Sequence, residues 1–372
     1  MSAAIIYHEE LKEYDFGPDH PFRGSRYGIF MRFLRENLAE DDNYRVLGSG
    51  TATEDDLLLI CDRAYIEFTR EFYRAAHEGK SYDGQFHKFQ SLDNSPIGRP
   101  GRVEEAARMV VGQAKEACRL VQDGEYKKVI SIGGGLHHAK RFYGEGFCLY
   151  NDVAFCAEYL MREHGLDRIV ILDTDAHAGN GTCEYFYQDP RVLFIDVHQD
   201  PRTIYPHTGY INQTGTGKGK GFTVNIPMPV RSGYDAYEMV FDSLVGPIVR
   251  EFNPQLIIRN GGSDPHFDDG LTDLGLPLEG FRMIGEKVRD ISEVCDGKQI
   301  DLICSGYNEH VLPYAWMALI TGLADFDYRV DEPDPIPPQY RADLAFGLTE
   351  SSTEKIIEEV RRTLKSYWSC LR

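Results

Sequence analysis

The chain has 372 residues, 42% of them hydrophobic and 12% aromatic, which is enough to bury a sizeable core. Its formal net charge of −19 argues against a nucleic-acid or anionic-membrane surface, which needs clustered Lys and Arg, and is compatible with cationic substrates such as lysine-rich segments or polyamines. No apolar run spans a bilayer, no signal-like segment opens the chain, and the eight cysteines form no CxxC pair, so a cytoplasmic protein with reduced thiols is expected.

In chain order, strand-like runs fall at 3–7 (AAIIY), 127–132 (KKVISI), 168–173 (RIVILD), 191–197 (RVLFIDV), 254–260 (PQLIIRN) and 301–306 (DLICSG). Amphipathic helical stretches lie between them at 101–124, 151–165 and 279–297. This alternation predicts an α/β fold with a mostly parallel sheet covered by helices. Segments 35–58 and 76–100 read as long loops whose relation to any site stays open. The Pro-rich 331–340 reads as a surface loop, followed by a helix from Ser351 to about Trp368 with capping-box spacing at Ser351 and Glu354. With no repeat or linker, 1–372 is expected to be a single domain.

Four of the strand runs end in polar clusters: SIGGGLHH, DTDAHAGN, NGGSDPH and SGYNEH. Ligands of parallel sheets bind beyond the carboxyl ends of the strands, so four such clusters on one edge predict one site. Asp173, Asp175 and His177 alternate along the chain and would share a face if it stayed extended. Their oxygen and imidazole donors suit Zn²⁺ or Fe²⁺, the alternative being an Asp that caps the next helix. His137 and His138 follow a glycine run, and on an irregular loop both can face a pocket as general base and electrostatic helper. Asp264 would complete an Asp-His-Asp metal set, while Asp268 and Asp269 look like exposed loop acids. Tyr307, on a Gly turn, could donate to a developing oxyanion or be an ordinary loop tyrosine.

Together GGGLHHAK…GFCLYND (133–152), LDTDAHAGNGT (172–182), GGSDPHFDD (261–269) and SGYNEH (305–310) resemble the motifs of the metal-dependent histone deacetylase family. That family includes acetoin-utilisation-type and acetylpolyamine amidohydrolase branches, and YDFGPDHPFRGSR (14–26) resembles its opening segment. The resemblance implies a three-layer α/β/α arginase/deacetylase fold with a roughly eight-stranded sheet, and hydrolysis of an N-acyl amide. It implies Asp175, His177 and Asp264 as ligands of Zn²⁺ (or Fe²⁺), His138 as general base and acid, His137 as helper, and Tyr307 as carbonyl polariser. Asp173 and Asn180 would orient His137 and His138. Phe147 and Tyr205 would wall a tunnel for the acyl-lysine stem, and the Gly146 carbonyl would accept its amide N–H. Asp93 matches a rim aspartate that grips the substrate backbone, and Arg26 matches an acetate-exit channel. A structural K⁺ would take Asp173, Asp175, His177, Asp196 and Val197, with Asp196 in place of a more usual Ser. A second K⁺ would involve Phe186, Asp189, Val192 and Phe222.

Three departures stand out. Ala178 occupies a place where many members carry His or Gln. Asn180 replaces the Asp of class I members, which should leave His138 less basic. Leu271 stands at the gatekeeper position, where a Glu would select polyamines, and so favours acyl-lysine or an uncharged acyl substrate. The expected partner is therefore an acetylated lysine of a peptide or protein. Acetylpolyamines, other small acetylated amines and long-chain acyl-lysine are the alternatives, and homo-oligomerisation stays open. A two-manganese ureohydrolase needs a carboxylate at position 179, which is Gly179 here. A silent acyl-lysine binding module or a scaffold would lack part of this set.

Overall fold

The computed structural model describes residues 3–41, 43–82, 85–340 and 342–372. Its strands are β1 (Ala3–Ile6), β2 (Tyr44–Leu47), β3 (Lys128–Ile132), β4 (Ile169–Asp173), β5 (Val192–Gln199), β6 (Thr223–Met228), β7 (Leu256–Asn260) and β8 (Gln299–Ile303). They form one eight-stranded sheet in the order β2-β1-β3-β8-β7-β4-β5-β6, with every neighbouring pair parallel. β4 to β8 are buried along their whole length, which is why β4, β5, β7 and β8 read as largely continuous apolar runs rather than alternating ones.

Helices Val103–Gln122 and Asp152–His164 pack on each other and on the sheet, the first on β3 and β8, the second on β4 and β7. Helix Leu278–Ser292 packs on β7 and on helix Leu312–Ala324, which in turn meets Ser25–Asn37. Asn151 caps the second of these helices by accepting Ala154 N–H (2.8 Å), and Gly165 ends it in the left-handed region. No helix among the described residues is long and apolar enough to cross a membrane.

Two strands escape the sequence pattern, and both are edges. β2 is four residues long with only Tyr44 buried, and β6 contains Pro227, which lacks an N–H and which an edge strand tolerates because no outer neighbour needs that donor. The last helix also differs from expectation. It runs Ala342–Leu364, so Ser351 lies inside it and the Ser351–Glu354 spacing is not an N-terminus. A capping box is a local signal, and here the preceding residues simply continue the helix.

Candidate active site

β3, β8, β7 and β4 are adjacent in the middle of the sheet, so the segments after them emerge side by side. The four polar clusters therefore meet, as ligand sites of parallel sheets do.

The metal-type triad comes together, but not by strand pleating. Only Asp173 belongs to β4. Beyond it the chain turns twice, with Asp173 Oδ1 accepting Asp175 N–H (3.1 Å) and Asp175 Oδ1 accepting His177 N–H (2.9 Å). The chain does not stay extended, and Asp173, which bonds His137, is not among the ligand atoms that cluster, so the condition for one shared face is not met. Asp175, His177 and Asp264 offer ligand atoms that all lie within 4.8 Å of one another, all buried. His177 Nδ1 is 3.2 Å from Asp175 Oδ1 and 3.0 Å from Asp264 Oδ2. Burial and the Asp175 charge push the Asp264 carboxyl up to about 8. Burial alone would lower His177, yet its two carboxylate partners raise it to about 10. Two buried carboxylates this close require a shared cation or protons between them, and an oxygen, imidazole and oxygen set fits Zn²⁺ or Fe²⁺. The bridging carboxylate of a second metal is missing, because position 179 is glycine. A Cβ added at Gly179 would meet Asp173 Oδ2 at 2.5 Å, so any side chain there would displace the Asp173 carboxylate that holds His137.

His137 and His138 lie on the loop after β3, both buried, with ring centroids 4.0 Å apart. Asp152 anchors that loop by accepting the N–H groups of Gly135 (2.8 Å) and Leu136 (2.7 Å). His137 Nδ1 donates to Asp173 Oδ2 (2.8 Å), and His138 Nδ1 donates to Asn180 Oδ1 (2.7 Å). The two Nε2 atoms are 3.1 Å apart, so one carries the proton between them. Burial opposes a charge on His137, but Asp173 and Asp175 outweigh it and raise His137 to about 9. Burial and then the neighbouring charges on His137 and His177 hold His138 well below the usual histidine range. The surroundings thus favour a charged His137 and a neutral His138.

Tyr307 follows β8. Its backbone N–H donates to Asp269 Oδ2 (2.7 Å), whose other oxygen accepts Leu271 N–H (2.9 Å). Asp269 is buried and holds the Tyr307 turn, which corrects its reading as an exposed acid; Asp268 is exposed as expected. Burial and the Asp264 and Asp175 charges keep the Tyr307 phenol protonated far above neutral pH. The Arg26 guanidinium lies 5.2 Å from its ring centroid and directs its N–H groups to main-chain carbonyls, including Gly306 O (2.7 Å).

Two cavities meet here. One, of about 450 Å³, opens outward and is lined by Asp93, Gly146, Phe147, Tyr205 and Leu271 together with His138, His177 and Tyr307. The other, of about 20 Å³, lies inside and is lined by His137, His138, Asp175, His177 and Tyr307, with Phe22, Cys148 and Cys304 at its far side. Gly146 and Phe147 occupy positive φ (59° and 64°) in a turn closed by Cys148 N–H to Glu145 O (3.0 Å). A Cβ at Gly146 would meet the His138 ring at 2.2 Å, so glycine is required for the turn to lie on the imidazole. Asp93 Oδ2 accepts Gly146 N–H (2.7 Å), and its main-chain oxygen faces His20 Nε2 (2.8 Å). Its carboxylate thus braces the wall of the cavity. The buried Tyr205 hydroxyl has no hydrogen-bond partner among the described residues. Of the two long segments, 76–100 supplies Asp93 to the wall, whereas 35–58 carries β2 and, among its described residues, supplies none to either cavity.

Asp173 and Asp196 stand in register across β4 and β5. Asp196 Oδ1 pairs with His198 Nδ1 (2.8 Å) and Oδ2 accepts Gly179 N–H (3.0 Å). Asp173 is equally engaged, taking Asn260 Nδ2 (3.0 Å) as well as His137. Val197 is buried and paired with β6, and Asp189, near Phe186, Val192 and Phe222 in sequence or sheet register, pairs with Arg191 (2.6 Å).

The histone deacetylase domain family matches residues 20–323. A "probable deacetylase" of Archaeoglobus fulgidus is 36% identical over 100% of both chains. The acetoin utilization protein AcuC of Staphylococcus aureus (strain COL) is 32% identical over 87% of this chain and 82% of its own, and that of Bacillus subtilis is 29% identical over 91% and 85%. The crystal structure of the HDA15 HD domain shares the fold, with a TM-score of 0.82 at 22% identity over 100% of this chain and 97% of that one. With a domain match that spans most of its length and a relative aligned from end to end, this chain belongs to the histone deacetylase family and is a hydrolytic deacetylase.

Proposed function

We propose that the chain hydrolyses the acetyl amide of lysine side chains in peptides or proteins, with Asp175, His177 and Asp264 holding one zinc ion. The observation that carries this is the junction of the two cavities, where that triad, the polarised histidine pair and the Tyr307 phenol converge. A divalent cation bound there would supply Lewis-acid activation of water and of the substrate carbonyl. His138 Nε2, bare because Nδ1 is committed to Asn180, takes the proton of the attacking water. It then delivers that proton to the leaving amine, so the C–N bond breaks once the C–O bond has formed. His137, charged through Asp173, orients the water and stabilises negative charge. Tyr307 donates to the carbonyl oxygen as it gains charge. The outer cavity holds the lysine stem between Phe147 and Tyr205, with the Gly146 carbonyl as acceptor for the amide N–H. The inner cavity, of about 20 Å³, receives the acyl methyl, and Arg26 lies behind it on the acetate's way out.

Potassium, if bound between β4 and β5, would rest on Asp173 and Asp196 and on the main-chain oxygens of Asp175, His177 and Val197; the two carboxylates already accept protein donors and would share their remaining lone pairs with the cation. The single sheet supports reading 1–372 as one deacetylase domain, and eight free thiols support a reducing, cytoplasmic setting.

Substrate choice turns on Leu271, an apolar side chain 42% exposed on the wall of the outer cavity. A leucine offers a polyamine ammonium no counter-charge. In a kcat/KM panel, an acetyl-lysine peptide is expected to lead acetylspermidine and a myristoyl-lysine peptide, and Leu271→Glu should raise acetylspermidine relative to the peptide. A preference of about a hundredfold for acetylspermidine in the unaltered enzyme would overturn the substrate assignment while leaving the chemistry intact.

A further inference from the structure

We propose that Glu145 is a positioning residue that, through Asn180, locks the His138 imidazole in the tautomer with a bare Nε2. This rests on the assignment of His138 as the base. Asn180 Oδ1 accepts from His138 Nδ1 (2.7 Å), and Asn180 Nδ2 donates to Glu145 Oε1 (2.7 Å). The same Glu145 oxygen takes Lys140 Nζ at 3.0 Å.

The logic is one of donors and acceptors. An asparagine amide has one end that donates and one that accepts, and by itself either end can face the histidine. Flipped, it would present N–H to His138 Nδ1 and favour the ring proton at Nε2, against the His137 Nε2 that faces that atom at 3.1 Å. That tautomer has no lone pair for the attacking water. A carboxylate accepts and never donates, so Glu145 takes the NH₂ end of Asn180 and leaves only the carbonyl for His138. A carboxylate in place of the amide would need no such control, because both its oxygens accept. The neutral Asn180 therefore creates a requirement that Glu145 meets. The backbone places Glu145 for this, since it opens the positive-φ turn whose next residue, Gly146, lies on the His138 ring. Glu145 is half-buried, its side chain 15% exposed, and it lines neither cavity.

The test uses the zinc-loaded full chain, kinetics of three variants and one spectroscopic readout. Glu145→Leu is expected to lower kcat about ten- to a hundredfold, a share of the roughly 10²–10⁴ that a positioned base contributes, with KM nearly unchanged. Glu145→Gln keeps an acceptor oxygen, and Lys140 selects that oxygen over the amide nitrogen, so it should retain most of the turnover. In the Asn180→Asp background Glu145→Leu should do no harm. Imidazole ¹⁵N shifts of labelled histidines should show His138 protonated at Nδ1 in the unaltered chain and a mixture of tautomers in Glu145→Leu. The last readout needs no substrate, so it stands apart from failure of the lysine-deacetylase reading, which the substrate panel would expose. Unchanged kcat in Glu145→Leu, an equal loss whether or not Asn180→Asp is also present, or an unchanged His138 tautomer would each overturn the proposal. A Glu145→Gln variant as impaired as Glu145→Leu would do the same, since the lost feature would then be charge rather than orientation.

Discussion

Tyr307→Phe should keep its full metal content and lose about 10²–10³ in kcat, the effect of removing one donor from an oxyanion site. The change deletes only the hydroxyl. The turn that presents the ring is held through the backbone N–H to Asp269, and the ring keeps its packing against Phe147 and the Arg26 guanidinium. The hydrogen bonds of the three metal-type ligands run to one another and to Ser305 rather than to the phenol. Burial and the adjacent carboxylates keep that phenol protonated, so it is a donor across the working pH range. Elemental analysis beside steady-state kinetics checks both halves, and turnover within a few-fold of the unaltered enzyme would remove Tyr307 from the mechanism.

His138→Ala should lose about 10²–10⁴ in kcat, again with metal retained. His138 is the imidazole at the cavity junction that burial and the neighbouring charges on His137 and His177 hold neutral, and its Nδ1 proton is pinned by Asn180. His137 cannot replace it. Asp173 takes its Nδ1 proton, and the surrounding carboxylates keep a proton on the ring up to about pH 9, so its free nitrogen is a donor where a base is needed. The companion His137→Ala variant should be impaired through lost charge stabilisation. A His138→Ala enzyme that turns over nearly normally would assign the base elsewhere.

How much of this was legible in the sequence depended on burial. The interior runs stood out because strands covered on both faces are unbroken stretches of Val, Ile and Leu, as in Ile169–Asp173. β2 and β6 did not: β2 is a four-residue edge strand with one buried residue, and β6, though buried, is broken up by Asn225 and by Pro227, which an edge strand tolerates. The residues of the site were legible as clusters after strands, yet their geometry was not. Strand alternation stops at Asp173, because the aspartates themselves turn the chain by accepting N–H groups two residues on. Asp269 looked like surface because two adjacent acids usually are, and its partner, Tyr307 N–H, is 38 residues away. Glu145 had no signal at all. Its significance exists only through Asn180, and sequence spacing does not show a contact across 35 residues.

Hydrolysis should require one divalent cation held by Asp175, His177 and Asp264, and a metal titration tests that most directly. Protein stripped by chelation is titrated with Zn²⁺ while activity and proton release are followed together. Because burial and the Asp175 charge favour a proton on Asp264, and the neighbouring carboxylates favour one on His177, metal binding must expel protons and affinity should rise with pH. The expected result is no hydrolysis of an acetyl-lysine peptide at the start, activity rising in proportion to added metal, a plateau at a single equivalent, and protons released on binding. Undiminished hydrolysis by protein with no detectable metal would contradict the account.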